Sequence, residues 1–228
     1  FKILILNYIP YFSITILLIF FQPDLSTSFV LALIIISMLI IAGLKIKHLV
    51  FPLILSITCI AIKIYHTPFQ LIRFMEWYSG NYNTQTENSI QALGNGGIFG
   101  VGIGKSIIKD GFMPEVHTDF ILPIIGEEIG FIGIVVIFSF YLILYFYGIK
   151  ICKSAPDIFS SMLSFGISIN ILYYFLINAS YVVGLFPTTG LPIPFISYGG
   201  SQMLFSLISM GILLNISKYT NVYKYNSL

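Results

Sequence analysis

Residues 113–130 read MPEVHTDFILPIIGEEIG and lie where a long polar segment meets a long apolar one. Ionisable side chains concentrate here, although only 9% of the chain is charged. Such groups are costly beside a membrane-spanning segment unless they are paired or used. We therefore expect this segment to hold the functional site, with the remaining chain as its scaffold. Its ionisable residues are Glu115, His117, Asp119, Glu127 and Glu128.

The composition is that of a membrane protein. Of the 228 residues, 57% are hydrophobic, and the mean hydropathy is +0.94, which is far from the balance of a soluble domain. The net charge of +2 does not indicate a nucleic-acid partner. Cys59 and Cys152 lack metal-ligand neighbours, and we interpret them as ordinary helix residues. There is neither a signal-peptide pattern nor an initiating Met, so we expect a fragment.

Continuous apolar runs predict an all-α polytopic membrane protein. The runs do not alternate as barrel strands do, and a bilayer core needs roughly 20 apolar residues per helix. Six spans are predicted, at Ile3–Phe21, Thr27–Leu44, Leu49–Ile64, Phe120–Tyr147, Phe159–Ile177 and Ser201–Lys218.

Charge orients these spans. If they alternate, seven basic residues fall on one side and four on the other, and the excess marks the cytoplasmic face. Eight of the nine acidic residues fall on the outer side, with Asp157 the exception. The functional site is therefore predicted to lie at the extracytoplasmic face of the membrane.

Two of the predicted outer loops are longer than is needed to connect two neighbouring spans. We treat the chain as one integral membrane domain, residues 1–228, with outer loops at residues 65–118 and 178–200. The first loop is rich in aromatic residues and Asn, without a long charge run, which favours an ordered loop on the membrane surface.

The segment QPDLSTS at residues 22–28 interrupts two apolar runs. Pro23 would end one helix, and Asp24 or Ser26 would cap the next. Alternatively, Gln22 and Asp24 line an outward cavity.

The glycine-rich segment LGNGGIFGVGIGKS, residues 93–106, resembles a phosphate loop only superficially. Phe99 stands where the Walker pattern needs glycine, and no strand precedes the segment. The simpler interpretation is that the glycines permit tight turns of the backbone. The alternative is that backbone amides and Lys105 contact the diphosphate of a lipid.

The residues around Asp119 admit two interpretations. Thr118 or Asp119 would cap the fourth span at its positive end. The same geometry could present the Asp119 carboxylate as a general base beside a membrane-embedded substrate. The spacing of Glu115, His117 and Asp119 is not a familiar metal-ligand set, so no metal site is predicted.

Two further features belong to this region. Glu127 and Glu128 follow on the same helix and must be buried in protein, paired or lining a cavity. The segment FPTTGLPIPFISYGGS, residues 186–201, is too rich in Pro and Gly for a regular helix. It is either a rigid connector or a cavity wall.

Taken in order, these motifs resemble those of the SEDS family, which includes RodA, FtsW and SpoVE. The resemblance covers essentially the whole chain. Its motifs are QPDL at residues 22–25, ALGNGG at 92–97, PEVHTDF at 114–120, GEEIG at 126–130, PTTGLPIPFISYGGS at 187–201 and NIS at 215–217.

Family members have ten spans, so six spans would make this chain the C-terminal part of a ten-helix fold. The segment GIGKS, residues 102–106, is closer to the FtsW/SpoVE branch than to the RodA branch. None of the departures from the family motifs removes an acid around Asp119. Those departures are Ser26, Ser28, Asn88, Ile193 and Gln202.

The resemblance implies a peptidoglycan glycosyltransferase. Such an enzyme polymerises lipid II at the outer face of the bacterial cytoplasmic membrane, beside a class B penicillin-binding protein and other divisome or elongation proteins. Asp119 matches the family's essential aspartate and is the predicted catalytic base, with Glu115, His117 and Thr118 supporting it. A divalent cation, Mg²⁺ or Mn²⁺, could stabilise the departing diphosphate. The predicted substrate-binding residues are Arg73, Lys105, Gln22, Asp24, Ser197, Gly199, Gly200 and Ser201.

Two rival functions fit the same sequence features. Buried acids and broken helices also suit a flippase that transports lipid II. A non-catalytic fragment that binds a division partner is the other alternative. The clustering of acids at the outer face favours the enzyme, because a transporter is expected to bind near the midplane.

Overall fold

The computed structural model describes residues 25–45, 47, 50–108 and 118–226, which fall into two units, one ending at Ile62 and one beginning at Lys63. The described residues contain helices and turns but no strand, which confirms the all-α prediction. The helices are α1 (Leu25–Ile41), α2 (Val50–His66), α3 (Pro68–Ser79), α4 (Thr84–Gly96), α5 (Ile121–Ser154), α6 (Ile158–Val182) and α7 (Gly200–Asn226).

Three of the described helices are long and apolar enough to cross a membrane: α5, α6 and the Gly200–Tyr219 part of α7. Helix α1 is apolar but shorter, at 17 residues. The predicted first span lies outside the described residues, so the total of six stays a prediction. Helices α5 and α6 continue past their predicted ends at Tyr147 and Ile177.

The predicted outer loop at residues 65–118 contains two helices. Helix α3 has Pro68 at its first position and ends at Gly80, which adopts the left-handed conformation with φ 73°. Helix α4 begins after Asn83, whose side chain accepts a hydrogen bond from the amide of Thr86 at 2.9 Å. Two regular helices thus lie within this range, while its location on the membrane surface stays a prediction.

Helices α5 and α6 form the centre of the second unit. A short connection, residues 155–157, makes them antiparallel neighbours. Their backbones approach closely, because a Cβ added to Gly148 would lie 1.7 Å from Ser168 Oγ. The rings of Tyr141 and Phe175 stack across the same interface with 4.3 Å between their centroids.

Helix α5 is interrupted at Gly130, which has φ 80° and ψ −173°. In an unbroken helix the amides of Phe131 and Ile132 would donate to the carbonyls of Glu127 and Glu128. All four groups pair instead with the preceding glycine-rich segment, which thereby replaces two lost helical hydrogen bonds with four. The four bonds are Phe131 N to Gly97 O (2.9 Å), Ile132 N to Ile98 O (3.3 Å), Val101 N to Glu127 O (2.9 Å) and Gly102 N to Glu128 O (3.0 Å).

Glycine is required for this backbone-to-backbone contact. A Cβ on Gly96 would lie 2.0 Å from the carbonyl oxygen of Gly126, and one on Gly100 would lie 2.2 Å from that of Glu128. A Cβ on Gly130 would lie 2.4 Å from Gly100 N. The partner atoms belong to the backbone and cannot rotate away, so the two segments meet only where side chains are absent.

We predict that Gly96→Ala destabilises the protein by about 1–3 kcal/mol or more, the range of overpacking substitutions. Thermal unfolding in detergent measures the effect as a lower midpoint. The matched control is Gly94→Ala in the same helix, where an added Cβ meets no atom within 4 Å. It should not lower the midpoint. Equal midpoints for the two variants would contradict the close contact.

Candidate active site

Asp119 lies in the turn of residues 118–120 that leads into α5, and its side chain is partly buried. The predicted supporting residues Glu115 and His117 lie outside the described residues. Gln22 and Asp24, predicted to bind substrate, also lie outside them. The site described below is therefore built outward from Asp119.

The predicted helix cap at Thr118 or Asp119 is wrong. Phe120 holds the N-cap position of α5, and its side chain makes no capping hydrogen bond. The turn is held by α6 instead, because the Asp119 carbonyl accepts hydrogen bonds from Asn178 Nδ2 at 2.9 Å and from the Tyr181 hydroxyl at 2.7 Å.

The Asp119 carboxylate faces the backbone of Gly190. Its Oδ2 lies 3.1 Å from the position that a Cβ on Gly190 would occupy. Gly190 has φ 70°, a conformation that residues with side chains rarely adopt. Any larger residue at this position would press on the carboxylate.

The charge of Arg73, a residue of α3, interacts with the charge of Asp119. Its Nη1 donates to the Thr188 carbonyl at 3.3 Å, and its guanidinium lies 4.3 Å from the centre of the Phe69 ring. Burial lowers the pKa of Arg73, while the negative charges of Glu76 and Asp119 act in the opposite direction. The structure thus brings the predicted cation Arg73 within interaction range of the predicted base.

Helix α3 is fastened to the loop that follows α6. Trp77 Nε1 donates to the Gly184 carbonyl at 3.0 Å, and Asn83 Nδ2 contacts Thr188 Oγ1 at 3.5 Å. Between these contacts lies a shallow recess with Arg73 on its wall. Other lining residues include Glu76, Tyr82, Thr86, Phe186 and Pro187.

Glu127 is fully buried and hydrogen-bonded. Its Oε1 accepts a hydrogen bond from Asn95 Nδ2 at 3.2 Å, and its Oε2 accepts one from the Ser106 hydroxyl. These bonds attach both ends of the glycine-rich segment to α5. Glu128 is partly buried, and its Oε1 has no hydrogen-bond partner among the described residues.

Four amides of the glycine-rich segment are already bonded within the protein. The amides of residues 100, 101, 102 and 105 donate to carbonyls of the protein itself. The hypothesis of a backbone cradle at these amides is therefore not supported, and close packing explains Gly96 and Gly100. The side chain of Lys105 is exposed, and its contact with a diphosphate stays a prediction.

The segment that precedes α7 is held rigidly. The buried Ser197 hydroxyl accepts a hydrogen bond from the Ile193 amide at 2.7 Å, and the Tyr141 hydroxyl donates to the Pro194 carbonyl. Gly200 and Ser201 are exposed at the start of α7, after the half-buried Gly199. Substrate contacts by Ser197, Gly199, Gly200 and Ser201 stay predictions.

The sequence interpretation missed Asn178, Tyr181 and Gly190. The predicted outer loop began at residue 178, but α6 continues to Val182 and places Asn178 and Tyr181 on its last turns. A signal was available, because an amide side chain that follows a long apolar run is costly without a partner.

We predict that Glu127→Ala lowers the unfolding midpoint, because it leaves the buried Ser106 hydroxyl without this acceptor. Losing one partner of a buried hydrogen bond costs about 1–3 kcal/mol. Thermal unfolding in detergent is the measurement, and Glu87→Ala at an exposed position of α4 is the control. A midpoint for Glu127→Ala as high as that of the control would refute this role.

Comparison with known proteins identifies the family. The family model FTSW_RODA_SPOVE, described as "Cell cycle protein", matches residues 2–222. Since this range is nearly the whole chain, the match is not confined to a few motifs.

The curated relatives agree with this match. "Probable peptidoglycan glycosyltransferase FtsW" of Trichlorobacter lovleyi is 36% identical over 95% of this chain and 59% of its own length. "Stage V sporulation protein E" of Bacillus subtilis is 37% identical over 90% of this chain and 57% of its own length. The chain therefore spans somewhat under three-fifths of these relatives.

A solved structure supports the fold. It is described as "Structural coordination of polymerization and crosslinking by a peptidoglycan synthase complex" and matches with a TM-score of 0.71 at 23% identity. The match covers 90% of this chain and 59% of the other. The chain belongs to the FtsW/RodA/SpoVE family of cell cycle proteins, also called the SEDS family, and is an integral membrane protein.

Proposed function

We propose that this chain carries the catalytic carboxylate of a peptidoglycan glycosyltransferase that polymerises lipid II, with Asp119 as the general base. One observation carries the proposal. Asp119 stands outside the regular helix, at the start of a membrane-spanning segment, with its carboxylate at Gly190 and in charge interaction with Arg73. The relatives named as probable peptidoglycan glycosyltransferases support the reaction class.

The reaction is a single displacement. The Asp119 carboxylate takes the proton of the acceptor sugar's 4-hydroxyl while that oxygen bonds to the anomeric carbon of the donor. The bond between the anomeric carbon and the diphosphate oxygen breaks, and undecaprenyl diphosphate leaves with the bonding electrons. Inversion converts an α-linked donor into a β-1,4 product, which requires one base.

Arg73 contributes positive charge at this point. A neighbouring guanidinium favours the ionised carboxylate that a base requires. It can also stabilise negative charge that develops on the departing diphosphate. The exposed Lys105 is a second candidate for the diphosphate, and Mg²⁺ or Mn²⁺ is a third. The described ranges contain no cluster of three or more His, Cys, Asp or Glu side chains, so we assign no ligand set.

The proposed location is the bacterial cytoplasmic membrane, with the site at its outer face. The proposed partner is a class B penicillin-binding protein within the division or elongation machinery. The synthase complex named for the matching structure, which couples polymerisation and crosslinking, supports such an assembly.

We predict that Asp119→Asn lowers the polymerisation rate at least about 100-fold, within the range that general bases contribute. The full-length protein is reconstituted with its class B partner, given labelled lipid II with the transpeptidase blocked, and assayed by gel. Glu87→Gln, at an exposed carboxylate of α4, is the control and should give the wild-type glycan ladder. A full ladder from Asp119→Asn would remove this residue from the mechanism. Without a ladder from the intact wild-type complex, transport or partner binding becomes the better explanation.

We predict a larger loss from Arg73→Gln than from Lys105→Gln, because Arg73 is half-buried and its charge interacts with that of Asp119, whereas Lys105 is exposed. The expected effects are about tenfold or more for Arg73→Gln and less than about twofold for Lys105→Gln in initial rate. Arg73→Lys should recover part of the rate because it restores the charge. The reverse ranking of the two Gln variants would assign the diphosphate to Lys105.

A further inference from the structure

Asn178 joins three parts of the outer end of the second unit. Its Nδ2 lies 2.9 Å from the Asp119 carbonyl, 2.6 Å from the Leu191 carbonyl and 2.8 Å from the Tyr181 hydroxyl. The residue is fully buried, so water does not compete for these contacts. One amide on α6 thus fixes the turn before α5 and the loop before α7 at the same time.

Tyr181 supports the same turn from the next turn of α6. Its hydroxyl donates to the Asp119 carbonyl at 2.7 Å, and its ring packs edge-on against Phe120 with 5.6 Å between centroids. Tyr181 is fully buried as well. The carbonyl of Asp119 therefore has two donors, and the following residue is held by an aromatic contact.

These bonds determine where the Asp119 carboxylate lies. Leu191 directly follows Gly190, and a Cβ built on Gly190 would lie 3.1 Å from Asp119 Oδ2. Fixing the carbonyls of Asp119 and Leu191 to one amide therefore fixes the backbone that carries the Asp119 carboxylate relative to the backbone at Gly190. Reaction rates depend steeply on such placement, since a shift of about 1 Å can cost about 100-fold.

We propose that Asn178 and Tyr181 are positioning residues that hold Asp119 in its reactive location through its backbone carbonyl. Neither residue touches the reacting atoms in this proposal. The inference rests on the proposed function, because it needs Asp119 to act on a substrate. A purely structural role would affect the folded fraction, whereas a positioning role lowers the turnover of folded molecules.

The test is Tyr181→Phe, which removes one hydrogen bond and keeps the ring against Phe120. The matched control is Tyr141→Phe, since Tyr141 is also buried and its hydroxyl also donates to a backbone carbonyl, that of Pro194. Initial rates over a range of lipid II concentrations give kcat and KM for the reconstituted full-length complex. Unfolding midpoints are measured in parallel, and kcat is expressed per folded molecule.

We expect Tyr181→Phe to lower kcat about tenfold or more, with KM within about twofold of wild type. Tyr141→Phe should keep kcat within about twofold. Asn178→Ser, which shortens the side chain, should lower kcat further if it folds. Equal kcat losses in the two Phe variants, or an unchanged kcat in Tyr181→Phe, would overturn the positioning role. If Asp119→Asn retains activity, the proposed function fails as well. If Asp119→Asn is inactive but Tyr181→Phe is fully active, only the positioning role is refuted.

Discussion

The backbone groups released at Gly130 impose the main constraint on this structure. A break in a helix at the membrane leaves amides and carbonyls that lipid cannot satisfy, and each one costs several kcal/mol. Here the glycine-rich segment supplies the missing partners through four backbone hydrogen bonds. The break and the segment therefore depend on each other, because neither has its hydrogen bonds satisfied alone.

This contact also organises the approach to the site. Glu127 lies three residues before the break and bonds to Asn95 and Ser106, so side chains reinforce the backbone pairing at both ends of the segment. Nine residues before the break, α5 begins at Ile121, close to the turn that carries Asp119. The part of α5 between Asp119 and the break is thus fastened by α4 and the glycine-rich segment on one side and by α6 on another.

Sequence patterns predicted the helices well and their ends less well. The long apolar runs of α5 and α6 predict membrane-spanning helices. The residues at which these helices begin and end depend on hydrogen bonds with other segments. Asn178 illustrates the limit. Its polarity favoured a loop, but its partners, the carbonyls of Asp119 and Leu191, are distant in sequence and become neighbours only in the fold. The cap at Thr118 or Asp119 failed for the same reason, because α6 holds that turn. The glycine motif was recognisable in the sequence. Its role in packing against α5 could not be predicted without knowing where α5 is interrupted.

The placement of Asp119 in a turn has a chemical consequence. An N-cap carboxylate accepts hydrogen bonds from the amides of its own helix, and these amides stabilise its ionised form. In this structure Phe120 holds the N-cap position of α5, and the backbone carbonyl of Asp119 provides the anchorage of the turn. Arg73 supplies opposite charge from a different helix, at the edge of an open recess. Anchorage through the backbone carbonyl of Asp119 supplies the fixed position that a general base needs in order to take a proton from its substrate.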